Sequence, residues 1–331
     1  MSEARPLPVF SEEAIRAAVT DEMALEAADR AFRALGRGRV TVPAPFAWDF
    51  PEVRGEVHVK GAHLHGSALF TFKVATGFFG NLEMGVPTGS GMVLMFDSNT
   101  GFPRGVLADN GYLTDLRTAA AGALAASHLT MERPLAVGLI GAGVQAYLQS
   151  RLLASVREVA SVAVWSRSSV RRERLRDRLI EELGVKARAV KTVEEAVAEA
   201  DLVLTATPSR APIVEPGWTR KGVTIVAIGA DGPAKQELSA EVVAGADKVI
   251  TDLTAQCVAL GELRSAVEAG LMGPEDVYAE LGEIVIGRRP GREGNETIVC
   301  DLTGVGAQDA AMTESAFIEL SGRETRVHTA P

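Results

Sequence analysis

The spacing of apolar positions changes along this chain, and each change marks a different kind of element. In the first segment apolar residues recur at helical spacing. Ser11, followed by Glu12 and Glu13, is placed to cap one helix, and Thr20 caps the next, which runs to about Leu35 before Gly36. From Gly55 to Ser98 the pattern becomes alternating with glycine-rich turns, which predicts strands. An alanine-rich helix is predicted over 114–129. Short apolar runs then follow near 136–140, 161–165, 187–190, 201–205, 223–228 and 248–251, several with helical stretches between them. That alternation is what a parallel, doubly wound sheet requires. Helical stretches follow Asp252, then a strand over 297–301 and a closing helix from about Gln308 to Leu320. The fold class is α/β, with a doubly wound parallel sheet (119–302) inserted into a second α+β domain built from 1–118 plus 303–331.

The run from Leu135 to Ala146 specifies what the sheet binds. An apolar strand leads directly into Gly141-Ala142-Gly143-Val144-Gln145-Ala146, and a helical pattern follows. Gly141 permits the tight turn, Gly143 lets backbone approach a pyrophosphate, and Ala146 keeps the helix close to the sheet. Free N–H groups at the helix start then favour the phosphates. Strand, glycine turn, helix and second strand fall in the order of a Rossmann dinucleotide site. An NAD site usually ends its second strand in Asp or Glu, which binds the ribose hydroxyls. Here that position reads Ser166-Arg167-Ser168-Ser169, with Arg171 and Arg172 beyond. Hydroxyls and guanidinium groups suit a 2′-phosphate, so NADP is favoured over NAD, with Arg167 the leading candidate and Arg171 and Arg172 readable as solvated helix residues.

Composition narrows the alternatives. The 331 residues suffice for two cored domains, and a net charge of −9 with no basic block argues against nucleic-acid binding. Met1–Pro6 lacks a basic region followed by an apolar core, and no apolar run reaches membrane-spanning length, so a soluble cytoplasmic protein is expected. Cys257 and Cys300 form no disulfide framework and show no metal-ligand spacing; they read as small packed residues, and no metal is expected.

Two alternating segments, 56–65 and 68–74, flank Gly66-Ser67, which reads as a two-residue hairpin turn. That turn sets Lys60 directly opposite Lys73, on the face shared by Ala62, Leu64, Leu69 and Thr71, and turns Phe70, Phe72 and Val74 toward the core. Directly opposed like charges cost up to about 1 kcal/mol, which a bound anion would offset; two lysines splayed into solvent are the plainer alternative. Arg117, expected in the first turn of the 114–129 helix, favours the anion. A cation there opposes the helix dipole, yet beside free N–H groups it makes a carboxylate site, a structural salt bridge being the alternative. The strand near 223–228 ends in Gly229-Ala230-Asp231-Gly232-Pro233. Ligands in such sheets bind outside the carboxyl ends of the strands, so Ala230 lies against the cofactor and Asp231 is placed to move a proton to or from a substrate nitrogen. A turn-making aspartate is the competing reading. Of the histidines, only His58 shares the Lys60 face.

These residues resemble the ornithine cyclodeaminase and mu-crystallin (ketimine reductase) family. The matching pieces are Lys73 in TFKV, LTDLRTAAAGALAA (113–126), GAGVQA (141–146), TATPS (205–209), GADGPAKQEL (229–238), GEL (261–263) and CDLTGVGAQD (300–309), which together span nearly the whole chain. GEVHVK (55–60), FFGN (78–81), DNGYLTD (109–115) and LGEIVIGRRPGR (281–292) resemble the ectoine-utilisation branch. The resemblance implies a two-domain homodimer whose first domain and C-terminal helix build the substrate and dimer interface. It implies carboxylate binding by Lys73 and Arg117, proton transfer by Asp231, and a dinucleotide lined by Val144, Gln145, Ser166, Arg167, Thr205, Ala206 and Thr207. Two departures bear on substrate. Ornithine cyclodeaminases carry a glutamate, for the substrate's distal amine, where this chain has Lys60, and an upstream arginine where this chain has a residue within Phe46–Asp49. The expected activity is NAD(P)H-dependent reduction of a C=N bond in a small carboxylated substrate, in ectoine or hydroxyectoine utilisation. Lys73 and Asp231 count as catalytic, and Arg117 and Lys60 as substrate-binding. The alternative is a redox-neutral, ammonia-releasing cyclodeaminase.

Overall fold

The computed structural model describes residues 7–327, with side chains as far as Gly322; the Met1–Pro6 stretch lies outside the described residues. The chain divides into two compact units, one running to Arg117 and resuming at Val305, the other spanning Thr118–Gly304.

The larger unit holds eight parallel strands, in the order Ala187–Ala189, Val159–Trp165, Leu135–Ile140, Leu202–Thr205, Thr224–Ala227, Ile298–Asp301, Lys248–Thr251 and Ala279–Glu280. The predicted doubly wound sheet is therefore present, and its strand order reverses between Leu135–Ile140 and Leu202–Thr205, the crevice where such sheets take ligands. Its central strands read as continuous apolar runs because they are buried on both faces. Leu139, Ile140, Leu152 and Leu153 are essentially inaccessible; burying each such side chain stabilises the unit by roughly 1.5–3 kcal/mol. A small parallel pair, Arg210–Val214 with Gln236–Leu238, escapes the apolar-run reading because one strand is interrupted by proline and the other is three residues long with two of them polar.

In the other unit Ser11 and Thr20 cap helices Glu12–Ala18 and Asp21–Gly36 by accepting from the Ala14 and Met23 N–H groups, as predicted. The strands Gly55–Leu64, Leu69–Phe78, Gly89–Asp97 and Pro103–Ala108 form an antiparallel sheet, extended by Val9–Ser11 at one edge and by Val40–Thr41 and Phe46–Phe50 at the other. The closing helix, Gly306–Val327, packs against Gly55–Leu64, Leu69–Phe78 and helix Asp21–Gly36. Its first residue must be glycine: a Cβ at Gly306 would lie 2.3 Å from the Gly61 carbonyl oxygen. That contact seats the start of the helix directly on the lysine-bearing strand.

Two local expectations need correction. The hairpin register is as predicted, but its loop covers residues 65–68, and the closing hydrogen bond runs from Ser67 N–H to the Leu64 carbonyl. Gly66 therefore sits third in the turn, with φ +96°, a position that favours glycine. The sheet is also the other way round. The face carrying Lys60, Ala62, Leu69, Thr71 and Lys73 is buried, while Phe72 is exposed and Phe70 and Val74 are half-buried. The closing helix, more than two hundred residues away in sequence, covers the lysine face.

Candidate active site

Strand register sets Lys60 opposite Lys73, and both side chains are buried. The counter-charge comes from a residue to which the sequence reading gave no role. Asp309, in the first turn of the closing helix, accepts from Lys73 Nζ and from Arg117 Nε at Oδ1, each at 2.9 Å. Its other oxygen, Oδ2, is buried with no hydrogen-bond partner among the described residues. Arg117 Nη1 also approaches Gln308 Oε1 at 3.5 Å.

Arg117 reaches this cluster from a different position than expected. Helix Tyr112–Leu129 starts two residues earlier than predicted, because the Asp109 carboxylate caps it by accepting from Leu113 N–H at 2.8 Å. Arg117 is thus in the second turn, away from the free N–H groups, and the helix-start argument for its anion site fails. What the structure shows at Arg117 is the alternative reading, a buried salt bridge, made to Asp309. Burial, then repulsion from Arg117 and Lys60, brings Lys73 down to about 7 despite the attraction of Asp309. Burial alone would raise Asp309, but Arg117 and Lys73 outweigh it and hold the carboxyl below its usual range. Asp109 is raised, chiefly by burial. Burial and two cationic neighbours therefore favour the neutral form of Lys73.

In the larger unit the glycine turn behaves as its spacing requires. Gly141 has φ +127°, and a Cβ there would lie 2.6 Å from the Ala206 carbonyl oxygen. At Gly143, the N-cap of helix Val144–Val156, a Cβ would meet nothing within 4 Å, so the backbone is open to a pyrophosphate. Ala146 is buried, whereas Val144 is exposed and Gln145 half-buried at the helix start. Arg167 is exposed just past strand Val159–Trp165, and Ser166 is half-buried. Arg172 turns back to donate to the Ser166 carbonyl at 3.3 Å, and Ser168 caps helix Ser169–Leu183. These groups fit a dinucleotide.

Thr205, Ala206 and Thr207 lie at the carboxyl end of strand Leu202–Thr205, beside the Gly229–Asp231 loop at the end of strand Thr224–Ala227. Ala230 is buried. Asp231 is partly exposed and pairs with Lys235 Nζ at 2.7 Å, a partner whose signal was its four-residue spacing. Beneath both loops lies Glu237, a second buried carboxylate missed in the sequence. His63 and His65 are occupied with Ser67 and Thr41, and His58 lies 3.7 Å from Glu56. Burial pushes both cysteine thiols well up.

Residues 9–320 match the ornithine cyclodeaminase/mu-crystallin family. The chain is 40% identical over 296 residues to an uncharacterised cyclodeaminase of Sinorhizobium fredii, covering 89% of each protein. Its fold is similar to an archaeal alanine dehydrogenase dimer with bound NAD, with TM-score 0.90, 32% identity, and 96% of this chain and 97% of that one covered. It is similar also to the Thermococcus litoralis Δ1-pyrroline-2-carboxylate reductase in complex with NADH and L-proline, with TM-score 0.91, 26% identity, and 96% and 98% covered. The chain belongs to the ornithine cyclodeaminase/mu-crystallin family.

Proposed function

We propose that the chain is an NAD(P)H-dependent reductase of a C=N bond in a small, carboxylated, amino-acid-derived imine. The observation that carries this reading is the buried cluster of Lys60, Lys73 and Arg117 around Asp309. Lys73 and Arg117 bind the substrate carboxylate and Lys60 adds to the field, so a compact anionic imine is favoured. A substrate bearing a distal ammonium, as ornithine does, is repelled by Lys60. The dinucleotide, when bound through Gly141, Gly143, Val144, Gln145, Ser166, Arg167, Thr205, Ala206, Thr207 and Ala230, supplies hydride to the imine carbon. Asp231 passes the balancing proton to nitrogen, directly or through water, and Lys235 can recharge it. The Ser166-Arg167 pair supports a preference for NADP.

The same reading takes the chain as a homodimer. Cross-strand register aligns Phe46, Val59, Val74 and Met92 in one row of the outward sheet face, with Phe72 and Leu94 alongside. Phe46, Trp48, Phe72 and Met92 are exposed, a contiguous apolar surface suited to a second copy. The motifs at 55–60, 78–81, 109–115 and 281–292 support a place in ectoine or hydroxyectoine utilisation.

The test is cofactor turnover against pyrroline and piperideine carboxylates, an ectoine-derived imine and free diamino acids. Reductase activity oxidises NADPH in step with amine formed. Ammonia release with no net change in nicotinamide absorbance overturns the proposal in favour of a cyclodeaminase.

A further inference from the structure

Glu237 is fully buried, yet it lies on a short strand rather than at any surface of the proposed site. Its side chain gathers donors from two loops, the Thr207 hydroxyl among them. Oε1 accepts from Thr207 N–H at 2.6 Å, and Oε2 accepts from Thr205 Oγ1 at 2.6 Å and Gly229 N–H at 2.8 Å. Thr205 ends one central strand of the parallel sheet with Thr207 just beyond it, and Gly229 lies in the loop after the neighbouring strand. The carboxylate thus ties together two loops where the sheet's own hydrogen bonds have run out. The fit is tight: a Cβ at Gly229 would lie 2.2 Å from the Thr207 carbonyl oxygen and 2.4 Å from Glu237 Oε2.

Glu237 is itself held. Glu262, fully buried just before helix Leu263–Glu268, accepts from the Glu237 and Leu238 N–H groups at 2.7 and 2.9 Å. Asp301 accepts from Leu263 N–H at 3.0 Å. Burial pushes Glu237 up to about 7 and Glu262 well up, so these carboxyls are costly to retain. A glutamine would not serve at 237. With donors facing both oxygens, an amide NH2 must confront one of them.

We propose that Glu237 is a positioning residue for the nicotinamide half of the dinucleotide, fixing the Thr205–Thr207 and Gly229–Asp231 loops without touching the cofactor. This inference rests on the dinucleotide reading above. In a doubly wound sheet each mononucleotide occupies one half, and the strands ending at Thr205 and Ala227 lie beyond the switch point, in the second half. The first half, with Gly143 and the Ser166–Arg167 corner, receives none of Glu237's side-chain hydrogen bonds.

The two halves can be read separately. ADP-ribose, its 2′-phosphate, NADH and NADPH are titrated by calorimetry into the full-length wild type, Glu237→Gln and Thr205→Val, with the emission of bound reduced nicotinamide recorded. For Glu237→Gln we expect ADP-ribose ligands to bind within about twofold of wild type, reduced dinucleotides to bind roughly 10- to 100-fold more weakly, and the bound-nicotinamide emission to revert toward that of free cofactor. Thr205→Val removes one donor and leaves the glutamate in place, so it shows the same split at a few-fold and carries the test if Glu237→Gln does not fold. Equal weakening of ADP-ribose and dinucleotide, or wild-type affinities for both in the variant that folds, overturns the inference. A wild type that binds none of the four probes removes the dinucleotide reading itself.

Discussion

Lys73 gives the anion cluster a pH signature that can be worked out from its surroundings. Its folded value lies at about 7, against an ordinary 10.5, because burial and the neighbouring Arg117 and Lys60 disfavour the ammonium more than Asp309 favours it. Only the charged form attracts a carboxylate, so affinity for an anionic ligand should fall as pH rises through 7. Well above 7, each pH unit costs about a factor of ten, so a ligand that depends wholly on this ammonium binds roughly 100-fold more weakly at pH 9 than at pH 6. The stability of the free protein moves the opposite way. Between pH 7 and 10.5 the unfolded chain keeps a proton that folded Lys73 has released, so stability rises by about 1.4 kcal/mol per pH unit from this group.

Pyrrole-2-carboxylate, a planar analogue that does not titrate in this range, is a suitable probe by calorimetry from pH 6 to 9 in the presence of saturating dinucleotide. Lys73→Met should bind it weakly with the bend near 7 gone. Asp309→Asn withdraws the attraction that favours the ammonium, so its bend should move to lower pH. A flat wild-type profile, or a bend that survives in Lys73→Met, refutes the argument, because Lys73 is then not the group that sets the profile.

Lys60→Glu should favour ornithine over a pyrroline carboxylate in steady-state kinetics, since it removes repulsion of a distal ammonium and adds repulsion of a carboxylate; unchanged kinetics for both substrates would sink the role given to Lys60. Arg167→Ala should weaken NADPH by roughly 1.5–3 kcal/mol while leaving NADH untouched in fluorescence titration, and equal losses would dismiss the 2′-phosphate assignment. Trp48→Asp with Met92→Asp, both on the exposed apolar face, should convert a dimer to a monomer by light scattering. An intact dimer would move the interface elsewhere.

What could be read in the sequence followed from the range of the interactions that encode it. The glycine turn, the buried parallel strands and the caps at Ser11 and Thr20 are specified by residues within a few positions of one another, and they stand where the pattern put them. The Lys60–Lys73 pairing was also legible, although the turn was misread. The predicted two-residue turn and the observed 65–68 loop are centred on the same point, so both give the same register. The start of the 112–129 helix was missed because its cap, Asp109, lies before Asn110-Gly111, which reads as a loop.

Which face of that hairpin is buried is a different kind of question. Alternation separates two faces but does not say which one will be covered, and a row of phenylalanines opposite a row with two lysines suggested an aromatic core. The covering element decided otherwise. Helix Gly306–Val327 lays Ala307, Ala310 and Ala311 on the unit's interior, and small side chains allow the close approach that Gly306 and Gly61 require. A helix that close would bury two ammonium groups without compensation, at a cost no alanine face could offset. Asp309, set among those alanines, supplies the compensation, and its value held below the usual carboxylate range is the mark of that pairing. One aspartate is thus shared by Lys73 and Arg117, with Lys60 adjacent. That aspartate lies 236 residues from Lys73 and 192 from Arg117, which is why no local pattern in the sequence gave it a role.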